Sequence, residues 1–125
     1  MTRLKRMVLA STAAAAVVLF ATSDTRADAA AAKKEAQEVF TMRCTPCHGT
    51  TGAGDGPASA SLTPKPRIFS DADWQKSVTD DHIEKIIKFG GAAVGKSPTM
   101  PGNPDLMAKN EVVAGIRAII RGLKK

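Results

Sequence analysis

Cys44-Thr45-Pro46-Cys47-His48 contains both cysteines of the chain and one of its two histidines. Two cysteines two residues apart, followed at once by histidine, have the spacing of covalent c-type haem attachment. Each thiol adds across one vinyl group, and the two-residue gap lets both thioethers reach one porphyrin edge. The histidine then falls beneath the ring, where its imidazole can bind iron as proximal ligand. A thioredoxin-like redox pair would sit in a βαβ pattern, and none surrounds this motif. A closed zinc site needs four ligands, and outside the motif the chain offers only His82 among its cysteines and histidines. The motif therefore predicts covalent haem c on Cys44 and Cys47, with His48 as an axial iron ligand.

Just upstream, Ala32, Ala36, Val39 and Phe40 recur at helical spacing and predict a helix over 29–43. Lys33, Lys34, Glu35 and Glu38 fall mostly on its other face. Phe40 lies one turn before Cys44 and is expected in the core. Further upstream the chain reads as an export signal. Arg3, Lys5 and Arg6 form a positive n-region, and Met7 to Ala21 is an apolar run broken by Ser11 and Thr12. That run is too short for a comfortable membrane span. Thr25-Arg26-Ala27 ends in a small residue, so cleavage is expected after Ala27, with Ala29 as a secondary site and an uncleaved membrane anchor as the alternative. No cysteine follows the run to carry a lipid. The expected organisation is a signal peptide over 1–27, a mature domain over 28–125, and a periplasmic location.

Cleavage leaves 98 residues and removes four basic side chains and one acidic one, so the formal charge falls from +6 to +3. The basic balance of the full chain thus belongs partly to the signal, and nucleic-acid binding is poorly motivated. A chain this short, with only Phe40, Phe69, Phe89 and Trp74 as aromatic residues, makes a thin core. A buried haem would supply much of the missing apolar surface.

Downstream of the motif, Gly49, Gly52, Gly54, Gly56 and Pro57 predict a loop running to Pro66. Its glycines are expected to let the backbone pass close to a flat ring. No Walker-type spacing accompanies them, so phosphate binding is not indicated. Ser70-Asp71-Ala72-Asp73 resembles a capping box and predicts a short helix over 71–77. That helix carries Trp74, expected as core filler beside the haem. The Trp74 indole N–H and the charge of Arg67 are candidate partners for a haem propionate. A clearer helix is predicted over 80–89, capped by Thr79 or Asp80 and stopped by Gly90-Gly91. His82 in its acidic first turn is expected at the surface rather than on iron. Residues 91–104 read as loop, with Met100 between Pro98 and Pro101. A methionine there packs no helix face, and a stiff loop is how a soft thioether would be held against iron. Met42 enters the attachment site on the near side, and Met107 is explained by packing. A last helix is predicted over 106–122, capped by Asp105, with Gly115 and Ala118 small enough for a close crossing.

Taken together, Phe40, Cys44-Thr45-Pro46-Cys47-His48-Gly49, the Gly52-x-Gly54-Asp55-Gly56-Pro57 loop, Ser97-Pro98-Thr99-Met100-Pro101 and the final helix make the chain resemble the class I cytochromes c of bacterial periplasms. The resemblance covers residues 30–123. It implies an all-α cytochrome c fold, three to five helices around one covalent haem, with the first and last helices crossing closely. It implies axial ligation by His48 and Met100. It also implies a hydrogen bond from the proximal imidazole to a loop proline carbonyl, for which Pro57 is the matching residue. The aromatic usual at the helix crossing is missing, so Ile116 or Ile119 must fill that space.

The expected function is a one-electron carrier that is not an enzyme. It would be a monomer docking transiently with redox protein partners, and Lys65 and Lys96 are candidates for the rim of an exposed haem edge. A haem subunit of a larger periplasmic oxidoreductase shares the same chemistry. A haem enzyme or gas sensor would follow if Met100 left iron open.

Overall fold

The structure is a computed structural model that describes the backbone of residues 15–125 and side chains from Thr25 onward. The positive n-region and the first half of the apolar run lie outside the described residues. The first helix, α1 (Ala15–Val39), starts well before the expected position and continues through Ala27 without a break. Its packed residues, Ala32, Ala36 and Val39, all lie downstream of Ala27. Among the described residues no helix is long and apolar enough to cross a membrane, and there is no strand.

The predicted helix over 29–43 changes character at Phe40. Residues Phe40–Cys44 form a wide π-type turn, closed by the Thr45 N–H donating to the Phe40 carbonyl. Pro46 explains the widening. A proline has no N–H to continue an α-ladder, and its ring crowds the carbonyl four residues back. The chain makes room by one extra residue per turn, and the Thr45 hydroxyl donates to the Thr41 carbonyl at 2.6 Å. The haem motif itself then forms α2 (Thr45–His48). Its last carbonyls would otherwise lack partners. The loop that follows supplies them: the N–H groups of Gly54, Gly56 and Ala58 donate to the carbonyls of His48, Cys47 and Pro46. A side chain on Gly56 would strike the Thr45 and Pro46 carbonyls. Close approach is therefore the reason for this glycine, but the neighbour is the motif's own backbone and not a ring in the cleft.

Helix α3 (Ala72–Ser77) is capped by Asp71, whose carboxylate accepts from the N–H groups of Asp73 and Trp74. The expected capping box at Ser70 is thus displaced by one residue. Helix α4 (Asp80–Phe89) has its expected bounds, with Thr79 accepting from the His82 N–H and Gly90 as its stop. The expected helix over 106–122 is shorter. Pro104–Leu106 makes a single tight turn, and α5 runs over Asn110–Gly122. Asp105 is not its cap, because its carboxylate is taken by Arg43.

Among the described residues, helices α1 and α5 make the most extensive packing. Phe40, Val113, Ile116 and Leu106 are buried in the core, and of the two isoleucines expected at the crossing Ile116 is fully buried and Ile119 partly so. At the closest point Gly115 faces Ala36, and a Cβ on Gly115 would lie 2.7 Å from the Ala36 Cβ. Neither atom can swing away, so the helices would have to separate. Gly115→Val should cost about 3 kcal/mol through overpacking, or roughly 10 °C or more in melting temperature for a domain of this size. An unchanged melting curve would show that the crossing is looser than described.

Candidate haem site

The two faces of the α1–α5 core are unequal. On one side the chain from Arg43 to Asn103 surrounds a cleft of about 1190 Å³. That exceeds the roughly 300–1,000 Å³ of ordinary small-molecule sites. Cys44, Cys47 and His48 lie along one wall, and Met100 and Pro101 line the same cleft from the loop after α4. Leu62, Pro64, Phe69, Trp74, Ile83, Ile86 and Ile87 make the remainder largely apolar. Arg43, Lys65, Arg67, Lys96 and His82 also line it.

His48 is buried and closely held. Its ring stacks on Phe69 at a centroid distance of 4.1 Å and an interplanar angle of 13°. Its Nδ1 lies 2.9 Å from the carbonyl oxygen of Arg67. A carbonyl can only accept, so the proton sits on Nδ1 and Nε2 keeps its lone pair. Burial lowers the affinity of the ring for a second proton, offset in part by the Arg67 carbonyl. The result is a neutral imidazole with one fixed orientation and one donor nitrogen, which is what a metal ligand requires.

This corrects the expected role of Pro57. The loop over 49–58 folds back on the outer carbonyls of α2, which leaves Pro57 exposed and away from the cleft. The segment over 66–69 passes beside the imidazole instead, and Arg67 serves through its backbone. The Arg67 side chain is exposed, while Trp74 is half-buried and stacks on Phe69 at 5.6 Å. Phe69 carries no signal in the sequence, because one aromatic in a loop has no periodicity. Gln75 carries none either. It is buried, and its Nε2 donates to the carbonyls of Phe69 and Ile120 at 2.7 and 2.9 Å. It thereby ties the Phe69 segment to α5.

Burial pushes the Cys44 thiol up to about 11. Redox-active cysteines have depressed values, so a thiol–disulfide role is disfavoured. Among the described residues no three His, Cys, Asp or Glu side chains group as a metal cage. What the wall offers is two thiols and one imidazole donor facing a broad apolar slot. Those residues fit a haem joined by two thioethers.

Met100 is half-buried, and its loop is fixed to the end of α4. The Gly91 N–H donates to the Met100 carbonyl at 3.0 Å, and the Asn103 N–H donates to the Lys88 carbonyl at 2.9 Å. Met42 is 66% exposed and Met107 50% exposed, and neither lines the cleft. His82 is not the free surface residue expected from its acidic turn, because its half-buried side chain reaches the cleft wall. Lys65 is partly occupied by the carbonyls of Ser59 and Ala60, each at 2.9 Å.

A helical shell around an apolar slot, with two thiols and a fixed imidazole on one wall, defines a c-type cytochrome. The family model described as cytochrome c oxidase, cbb3-type, subunit III, matches residues 31–117, and the chain belongs to that family. No curated protein matches the chain. Among solved structures it is similar to the KustC0563 c-type cytochrome, at 27% identity and a TM-score of 0.53. The match covers 70% of this chain and 95% of that one. Membership of a cytochrome c family implies covalent haem c, and Cys44 and Cys47 fit the attachment motif.

Proposed function

We propose that this protein is a periplasmic carrier of single electrons, with one haem held by His48 and Met100. The observation that carries the reading is the shared cleft: a neutral, oriented imidazole on one wall and a thioether on a clamped loop of the same cavity. A bound haem supplies an iron that takes up and gives back one electron. His48 and Met100 would hold that iron and leave it no open site, and the chain lines the slot with apolar side chains. A thioether ligand and a low-dielectric surround both favour a raised reduction potential. Arg67 and Trp74 are the proposed propionate partners, and Lys65 and Lys96 stand at the rim where an acidic redox partner could dock. Electrochemical titration should give a single reversible transition of one electron, and the reduced protein should not react with CO. A multi-electron wave or prompt CO binding would remove the carrier reading.

Export fits the distribution of packing. The described core contacts of α1 begin at Ala32, so removing residues up to Ala27 costs the core none of them. The intact mass of periplasmic protein should match residues 28–125 plus one haem. A full-length mass in the membrane fraction would favour the anchored form.

One observation favours a second reading. The matching family is described as a subunit of a cbb3-type oxidase, so this chain could serve as the haem subunit of a larger enzyme. Stoichiometric co-purification with a membrane oxidoreductase would establish it; recovery as a free monomer would support the diffusing carrier.

A further inference from the structure

Arg43 has no role in attachment, yet it is the residue directly before Cys44. Its guanidinium grips Asp105 with both arms, Nη1 to Oδ1 at 2.9 Å and Nη2 to Oδ2 at 3.0 Å. The same Nη1 donates to the Asn103 Oδ1 at 3.0 Å. Asn103 is in turn fixed to α4, with its Nδ2 donating to the Ile87 carbonyl at 2.7 Å and its N–H to the Lys88 carbonyl. Gly102 lies so close to the backbone of Lys88 and Phe89 that no side chain fits. The stretch leaving Met100 is therefore held from two directions, by the end of α4 and by the segment that enters the haem motif. The guanidinium holds the Asp105 carboxyl below the usual carboxylate range, consistent with a formed pair.

We infer that Arg43, through Asn103 and Asp105, is a positioning residue that latches the Met100 loop to the attachment segment and so governs how readily the sixth iron position opens. The inference rests on Met100 as the sixth ligand. Without the latch, residues 101–105 lose their tie to the attachment segment and keep their packing on α4 and α5, which leaves the thioether freer to swing away. An Arg–carboxylate fork adds geometric definition as well as charge. The pair is about half exposed, with side chains 43% and 51% accessible, so its strength is that of a surface pair with good geometry.

The test is the rate of CO binding to reduced holoprotein, read beside the near-infrared charge-transfer band of the oxidised form and the melting temperature. Arg43→Ala should bind CO about tenfold faster than wild type, on the scale of a charge-assisted fork, with a weakened band. Arg43→Lys should fall between them, because an ammonium cannot make both arms of the fork. Arg117→Ala is the control. Arg117 pairs with Asp80 at 2.7 Å and Glu84 at 3.3 Å but does not line the cleft. It should lower the melting temperature without changing CO binding. Equal CO rates in Arg43→Ala and wild type, with the band intact, would overturn the latch while leaving Met100 in place. Equal acceleration in Arg117→Ala would also overturn it, by showing a general loosening. Wild-type protein that lacks the band and binds CO at once would remove the Met100 ligation and the latch together.

Discussion

Replacing Cys44 and Cys47 together by alanine should remove all haem colour from the protein on a denaturing gel and leave a chain without a cooperative melting transition. The first effect follows from losing both thioether bonds. The second follows from the cleft. Its apolar walls include Phe69, Ile83 and Ile87, which belong to the same core as Ile116 and Phe40. Without haem those apolar walls would face water across an open cleft of about 1190 Å³, and exposed apolar area costs roughly 25 cal/mol per Å². A small domain has only about 5–15 kcal/mol in total. The unloaded chain should therefore collapse or unfold, as circular dichroism and calorimetry would show. Colour that survives in the double variant, or wild-type colour that acidic acetone extracts, would contradict attachment through these thiols.

Met100→Ala should have the second large effect. The near-infrared sulfur-to-iron band should vanish, and CO and cyanide should gain access to the iron. The reduction potential should fall by something on the order of 0.1–0.3 V, a part of the roughly 0.8 V range that axial ligands span. Met42 and Met107 cannot compensate, since both stand outside the cleft. His82 is the residue to watch, because it lines the cleft. His82→Ala should leave the wild-type spectrum unchanged. A low-spin spectrum without the sulfur band in Met100→Ala, abolished by a further His82→Ala change, would show that the imidazole can substitute.

Local chemistry was legible where one short stretch decides it. The haem motif is such a stretch, and so is α4, whose Thr79 cap, isoleucine face and Gly90 stop all lie within twelve residues. Gly115 could be read as a crossing point because a small residue within an apolar stripe has few other uses. The failures are contacts made across the chain. Asp105 looks like a helix cap in sequence, but its partner is Arg43, 62 residues away. Resemblance points to Pro57 as the His48 acceptor, whereas the carbonyl that arrives belongs to Arg67, because the glycine loop turns outward to serve the carbonyls of α2. Phe69 and Gln75 carry no local pattern, and their roles exist only once the loop lies against His48 and α5. The start of α1 differs from the expected one for a different reason. An alanine-rich leader has high helix propensity of its own, so the helix does not end where the packed stripe ends.

The near-infrared spectrum of the oxidised wild-type holoprotein tests the central claim most directly. If His48 and Met100 close the two faces of one covalent haem, a weak sulfur-to-iron charge-transfer band should be present at neutral pH, and it should be missing from Met100→Ala. A wild-type spectrum without that band, or a band that survives in Met100→Ala, would contradict the ligation on which the electron-carrier reading stands.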